Sequence, residues 1–576
     1  MDVKLTPTSK ETISLSGAGG LLILLNSFPA FRYYFFAEDF TYLRIYNLHH
    51  QQLLEAAFSR QDGMFFRPGF FLGLLWWHFV LPPEPMYYHI RNFAFCVVSL
   101  ILVHRVLLKV VRSRTARIIA LLLFASSKIF LTIIGYINNY ENSVLLIAGL
   151  LTVLFWLRYI ENRRAVDYAL ALTFCLICSF SKDNGLAVIV LLAACVISLA
   201  PKPDDIKREA RYWAIRYLPA VVIAAAYLIL RYILTGPINT ENPVYSPRLS
   251  FSVAYWQTKA FLATVGNFSL TNPGRMGESG LSGLLTGGST AIEAILCAAL
   301  WGLILFTLWQ GRSAGRLLIL PAVWIALYVS PIFLIRNHQV YYYQDSLVGL
   351  VLLIGICLDR VRRPLVAFWC LVVAVVAING FIANRRSYYD WQHAADYVEQ
   401  LRPKFEEWRN NPPASVTYIS PPELIDLTRW TVGDPLTQHL TGKPISVHII
   451  TSFEQVPPDS SAIKLHNVPP ISGGATTTAI GTISASPNPI QECDDSGLGM
   501  TTISWTFQGA KKIEVRVGKP DGDLLAATES PGQASTGKWV AKGMGFYLQD
   551  VSDGRPLTSE NTIAMIRVSV TDAGCR

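Results

Sequence analysis

Arg91-Asn-Phe-Ala-Phe-Cys-Val-Val-Ser-Leu-Ile-Leu-Val-His-Arg-Val-Leu-Leu-Lys109 leads straight into Val110-Val-Arg-Ser-Arg-Thr-Ala-Arg117. Another apolar run, Ile118-Ile-Ala-Leu-Leu-Leu-Phe124, follows at once. Crossing the hydrocarbon core of a bilayer takes roughly 20 apolar residues as a helix. The two runs therefore read as successive spans, and the arginine-rich link between them marks the cytoplasmic side. Working outward, the same pattern recurs at 14–36, 88–111, 116–135, 143–160, 166–181, 184–200, 213–234, 291–310, 316–335, 343–359 and 364–383, which predicts about eleven spans.

The linkers 109–117, 161–164, 201–216, 311–316 and 359–363 all fall on one side of this alternation and are rich in Lys and Arg. The positive-inside rule makes that side cytoplasmic, with the N-terminus inside and the C-terminal part outside. The segment from Phe65 to about Leu81 breaks the pattern: it is short, is interrupted by Pro68 and Gly69, and ends in Trp76-Trp77-His78. Such a segment suits a helix lying at the outer interface. A full crossing there would put the basic loops outside.

Composition agrees with this reading. Of 576 residues, 52% are hydrophobic and only 15% charged, too few charges to cover a soluble surface of this size. The net charge of +9 resides in the first part: residues 1–383 hold 32 Lys and Arg against 19 Asp and Glu, the remainder 17 against 21. A slightly acidic soluble part excludes nucleic-acid binding, which needs a basic face.

After residue 383 the long apolar runs stop. Residues 384–475 mix a helical stretch with short apolar runs and predict a small α/β connecting region. Residues 476–576 alternate at period two, as in Thr501-Thr-Ile-Ser-Trp-Thr-Phe507, and predict an immunoglobulin-like β-sandwich with Trp505 in its core. Seven of the nine cysteines lie in apolar spans, where a thiol behaves as a small hydrophobe. Cys493 and Cys575 bracket the last region and read as a disulfide in an oxidising compartment. Membrane lipids are the partners that the spans themselves require.

The first outer loop offers chemistry. Glu38-Asp39 follows the first span, and Arg67-Pro68 comes 28 residues after Asp39. An acid at a membrane surface can remove a proton from an attacking hydroxyl, and the planar fork of an arginine can hold a phosphate. The plainer alternative is a solvated loop acid and a snorkelling arginine. Arg336-Asn-His-Gln-Val-Tyr-Tyr-Tyr-Gln344 is expected on the same side, as interface anchors or as a donor site through Arg336 and His338. Asn138-Asn-Tyr-Glu141 reads as a polar turn or as groups that orient sugar hydroxyls. The histidines show no metal-ligand spacing.

Four elements together resemble the GT-C glycosyltransferases, a superfamily that includes protein O-mannosyltransferases and lipid A aminoarabinose transferases. They are the acidic pair Glu38-Asp39, the basic-proline element Arg67-Pro68, Pro85-Met-Tyr-Tyr-His-Ile-Arg-Asn92 before the second span, and Ser181-Lys-Asp-Asn-Gly185 between two later ones. The resemblance covers about 380 residues and implies a GT-C-like transmembrane domain over 1–383. It implies a sugar donor on polyprenyl phosphate, used on the outer face of a bacterial inner membrane, and an acceptor that is a glycan, a lipid or a protein. Asp39 would be the catalytic base with Glu38 beside it. Arg67, Lys182, Arg336 and His338 would bind the donor phosphate, and Asn139, Glu141 and Tyr342 the sugar or acceptor. Some relatives use a divalent metal and others do not. A transporter or flippase of lipid-linked saccharide and a non-catalytic envelope-binding protein are the competing readings; the clustering of polar residues at the outer ends of the spans favours surface chemistry over transport.

Overall fold

The computed structural model describes residues 9–32, 66–69, 84–201, 205–236, 250–268, 290–335, 339–384, 479–494 and 496–571, with short strands at 415–419, 446–450 and 461–464 and three single positions between 73 and 81. Glu38, Asp39, Arg336, His338, Cys575 and most of the segment 65–81 lie outside the described residues. The chain divides into two compact units, one holding the helices and one holding the strands.

The helical unit contains α1 (Ser9–Ser27), α2 (Pro85–Val110), α3 (Arg114–Ala125), α4 (Ile129–Gly135), α5 (Tyr140–Asn162), α6 (Ala165–Ser181), α7 (Ala187–Leu199), α8 (Ile206–Thr235), α9 (Phe251–Val265), α10 (Thr290–Gln310), α11 (Ile319–Val329) and α12 (Gln344–Leu358), and a further helix, α13 (Arg363–Asn384). Among the described residues, seven helical stretches are long and apolar enough to cross a membrane, or eight if the bent α3–α4 pair is one span. The helices α6 and α7 are apolar but shorter, and the predicted spans 291–310 and 316–335 fall within one 43-residue helical run, Ile292–Leu334. With these helices the chain is an integral, multi-pass membrane protein. Among the described residues one helix was not foreseen: α9 lies in the long segment 235–290 between predicted spans.

The predicted span 116–135 is broken. α3 and α4 meet at 51° across Ser126-Ser127-Lys128, and a break inside a bilayer requires that its freed backbone groups find partners. Asn267, in the left-handed region at φ 60° just after α9, supplies them. Its amide donates to the Ser126 carbonyl at 2.9 Å and its carbonyl accepts the Lys128 N–H at 2.8 Å. Gly380 makes room for it, because a Cβ there would sit 2.5 Å from the Asn267 amide nitrogen and 2.6 Å from the Ser126 oxygen.

α2 secures the far end of the break. The Asn92 amide donates to the carbonyls of Ile133 and Tyr136 at 2.9 and 2.8 Å, His89 Nδ1 lies 2.7 Å from the Ile134 carbonyl, and Arg91 donates to the Ile137 carbonyl. The residues Tyr88-His-Ile-Arg-Asn92 thus fix the backbone that leads into α5. At the basic ends the caps are local: Ser113 starts α3 by accepting the Ala116 N–H, and Asp205 starts α8 by accepting those of Lys207 and Arg208.

The second unit contains β1 (Ser415–Ile419), β2 (Ser446–Ile450), β3 (Ser461–Lys464), β4 (Ile480–Ser486), β5 (Thr502–Gln508), β6 (Ile513–Val517), β7 (Asp523–Thr528), β8 (Gly532–Ser535), β9 (Gly545–Asp550) and β10 (Thr562–Arg567). A seven-stranded sheet runs β2-β1-β3-β10-β9-β6-β7, and a three-stranded sheet runs β8-β5-β4. Alternate side chains of the two sheets meet in one core with Ile483, Ile503, Trp505, Val515, Phe546, Leu548 and Ile563. The expected boundary near 475 falls between β3 and β4, yet β3 pairs antiparallel with β10. The parallel strands β1 to β3 therefore extend the sandwich sheet itself. Cys493 is disulfide-bonded. Asp494 next to it accepts hydrogen bonds from Ser496 and Lys538, which, with its bonding to Glu492, hold its carboxyl below the usual range.

Candidate active site

The site is built from three short polar breaks between apolar elements. Arg67 follows Phe66 in the element Phe66-Arg-Pro-Gly69. Glu141 and Asn142 lie in the first turn of α5. Lys182 joins α6 to the 3-10 turn Asp183–Leu186, with its backbone extended at φ −158°, ψ 152°. That turn is tight: the Gly185 N–H reaches the Lys182 carbonyl at 2.8 Å, and a Cβ on Gly185 would lie 2.0 Å from the Cys178 carbonyl oxygen. Gly69 abuts the end of α6 in the same way, its Cβ position being 3.0 Å from the Phe180 carbonyl oxygen. The Arg-Pro-Gly and Ser-Lys-Asp-Asn-Gly elements, 115 residues apart in sequence between Arg67 and Lys182, are thereby packed together.

Both cations bind one carboxylate. Glu141 accepts from Arg67 Nη1 on Oε2 at 3.1 Å and from Lys182 Nζ on Oε1 at 2.8 Å. Lys182 also donates to Asn142 Oδ1 at 2.7 Å. All three charged side chains are largely buried, with relative exposures of 13% for Arg67, 10% for Glu141 and 11% for Lys182. Buried charges are costly unless paired and hydrogen-bonded, and two cations on one anion leave a net positive charge in this group. The rings of Tyr341 and Tyr342 lie 5.9 and 6.0 Å from Lys182 Nζ, within the range of cation–π attraction.

A second pair stands beside the first. Asp183 accepts from Tyr227 Oη at 2.7 Å and from Arg231 Nε at 3.3 Å, both from α8. Tyr227 Oη also lies 3.1 Å from the Phe66 carbonyl oxygen.

Of the residues singled out in the sequence, Arg67, Glu141, Lys182 and Tyr342 come together here. Asn139 lies one turn before, its amide donating to the Thr132 carbonyl at 3.1 Å and its side-chain carbonyl accepting from Asn142. Glu38, Asp39, Arg336 and His338 fall outside the described residues. Asn142, Tyr227 and Arg231 were not singled out, and Asp183 was named only within the Ser181-Lys-Asp-Asn-Gly185 element. Arg231 left a signal: a charge inside the apolar run Tyr227-Leu-Ile-Leu-Arg-Tyr-Ile233 is expensive in a membrane and marks either a pairing or a function. Among the described residues no group of three or more His, Cys, Asp or Glu is arranged to hold a metal ion.

No family model matches the chain, and no curated protein matches it. Solved structures do. The archaeal oligosaccharyltransferase AglB from Archaeoglobus fulgidus, in complex with an inhibitory peptide and a dolichol-phosphate, is 14% identical with a TM-score of 0.42, over 73% of this chain and 63% of its own. The chain thus spans a little under two thirds of that protein. ArnT from Cupriavidus metallidurans bound to undecaprenyl phosphate is 11% identical with a TM-score of 0.45, over 80% of this chain and 93% of its own.

Proposed function

We propose that the chain is a GT-C-type glycosyltransferase that moves a sugar from a polyprenyl-phosphate donor to an acceptor on the outer face of a membrane. The observation that carries this reading is the convergence of Arg67 and Lys182, from separate loops, on Glu141. Fixed cations at a membrane-helix end stabilise the charge that develops on a departing phosphate. Glu141, expected to orient a sugar or acceptor, acts in this reading by holding the two cations apart at a set distance. Arg336 and His338 complete the phosphate site, and Asn139 and Tyr342 line the way to the sugar.

Asp39 is the base in this reading, with Glu38 beside it. The acceptor hydroxyl gives its proton to the carboxylate as its oxygen attacks the anomeric carbon. The bond from that carbon to the phosphate oxygen breaks, and the polyprenyl phosphate leaves with the electron pair. In this reading the N-terminus lies in the cytoplasm and the strand unit outside, where an oxidising compartment suits a Cys493–Cys575 bridge.

The test is transfer of radiolabelled sugar from polyprenyl-phosphate donors into envelope extracts by the purified full chain. Asp39→Asn is expected to reduce transfer by roughly 10²- to 10⁴-fold, the usual contribution of a general base, with the thermal melt unchanged. Equal transfer by both proteins removes Asp39 from the role. No transfer by either, across several donors, turns the reading towards a transporter of the same lipids.

A further inference from the structure

α12 is the most enclosed of the candidate spans, with 83% of its apolar window buried. Yet its second residue is Asp345, a carboxylate only 4% exposed. Among the described residues it forms no ion pair and accepts no hydrogen bond. Lys182 lies within electrostatic reach of it, and Tyr328 and Cys178 are near enough to feel its charge. A Cβ on Gly149 would touch both Cys178 Sγ, at 3.7 Å, and Tyr328 Oη, at 3.9 Å, so these two line the same wall. Beside Asp345, the Gln344 side chain is fully buried and both its amide atoms lack a hydrogen-bond partner among the described residues. Leaving the Gln344 amide unsatisfied in an apolar interior is costly, and an ionisable residue inside a membrane unit marks a functional site by default.

We infer that Asp345 is the specificity-determining residue of the donor site, accepting hydrogen bonds from hydroxyls of the sugar carried on the lipid phosphate. This rests on the donor reading given above. Lys182 connects the two halves: its ammonium meets Glu141 and Asn142, faces the rings of Tyr341 and Tyr342, and lies within the field of Asp345. A lipid-linked sugar has the matching sequence of groups. Its phosphate needs cations, its C–H face packs on aromatic rings, and its hydroxyls are donors that the oxygens of a carboxyl group can accept. Tyr341 and Tyr342 sit in the 3-10 turn Val340–Tyr343 that runs into α12, so one continuous stretch of chain carries both the rings and the carboxylate.

The test uses the full chain in nanodiscs with two kinds of probe: undecaprenyl phosphate alone, and undecaprenyl phosphate carrying glucose, mannose or galactose. Asp345→Asn is expected to bind the bare lipid phosphate within twofold of the wild type. Its affinity for the glycosylated form the wild type prefers is expected to fall at least tenfold, with Asp345→Glu recovering part. Asp345→Ser is the second variant should the asparagine protein fail to fold. Equal loss for bare and glycosylated lipid means a structural role and overturns the inference. So does a wild type that binds no glycosylated form tighter than the bare one. Lys182→Gln separates the two readings: unchanged binding of bare lipid phosphate by that variant removes the donor reading itself, whatever Asp345 does.

Discussion

Tyr227 places one hydroxyl between the two loops that carry the cations. Its oxygen is 2.7 Å from Asp183 Oδ1 and 3.1 Å from the Phe66 carbonyl oxygen. Asp183 follows Lys182 and Phe66 precedes Arg67, so a single side chain on α8 ties down the residue next to each cation. The hydroxyl has one proton; the shorter bond, to a carboxylate, takes most of it and the carbonyl takes the remainder. Its ring packs 5.7 Å from that of Phe66 and edge-on at 5.4 Å from that of Phe180, so the phenol is held in place independently of its hydrogen bonds.

Tyr227→Phe therefore isolates the hydroxyl. A hydrogen bond to a charged group contributes about 1.5–3 kcal/mol, and part of that here fixes the distance between Arg67 and Lys182. The donor KM is expected to rise roughly three- to tenfold, in line with about 1 kcal/mol of that contribution, while kcat changes less. Steady-state transfer kinetics with a polyprenyl-phosphate donor measure it. A KM equal to that of the wild type would show that the loops keep their spacing without the hydroxyl.

Removing Glu141 should do more to the fold than removing either cation. Glu141→Ala leaves two buried cations with no shared anion, and breaking a buried pair in this way costs about 3–5 kcal/mol. Glu141→Gln keeps the acceptor oxygen and is expected to cost less. Thermal unfolding of the purified protein in detergent checks the order. Adding Lys182→Met to Glu141→Gln should restore part of the loss, because the remaining cation then has no like charge beside it. An alanine variant that melts with the wild type would mean that solvent already screens the site.

Asn92 is a long way from this chemistry in sequence but controls it through the backbone. Its amide holds the carbonyls of Ile133 and Tyr136 at the end of the broken span, five residues before Glu141. Asn92→Leu fills similar volume and takes the amide partner from the Ile133 carbonyl, at about 1–3 kcal/mol for a buried group left unpaired, while the Tyr136 carbonyl keeps the Asn139 N–H at 3.2 Å. Both a lower melting temperature and a reduced affinity for lipid phosphate are expected. Loss of stability alone, with affinity intact, would limit Asn92 to structural support.

Most of the spans were legible in the sequence because length and hydropathy are properties of single segments. The break at Ser126-Ser127-Lys128 was not, since what permits it is Asn267, which is 139 residues from Lys128. The same limit applied at the site. Arg67 and Lys182 stood out as cations beside proline and glycine, and the structure brings them together. Glu141 was read as part of a polar turn or as a group orienting sugar hydroxyls, because nothing local distinguishes an acid that closes a cation pair from one that meets water. Asp345 was hidden differently: one acid at the start of an apolar run looks like an ordinary helix N-terminus until the burial around it is known. In the strand unit, alternation gave the sandwich and its core tryptophan. That β3 joins β10 in one sheet depends on pairing across about 100 residues, which no local pattern records.

Trp505 tests the strand unit. It is 5% exposed in the core between the two sheets, and its indole N–H has no hydrogen-bond partner among the described residues. Trp505→Ala opens a large cavity, and such truncations cost about 3–5 kcal/mol. Trp505→Phe gives up some packing but also removes a buried donor that has nothing to bind, so its net cost should be about 1 kcal/mol, the part of the cavity cost left after that relief. Room at the site favours the smaller ring: a Cβ on Gly532 would already lie 3.2 Å from Trp505 Cζ2, so the neighbouring strand β8 follows the indole edge closely. Limited proteolysis of the full chain, read as the rate of cleavage within residues 479–571, gives the measurement. The expected order is wild type slowest, Trp505→Phe close to it and Trp505→Ala much faster. A phenylalanine variant cleaved as fast as the alanine one would mean that the indole N–H is satisfied by bound water, and that its loss adds to the cavity cost where relief was expected.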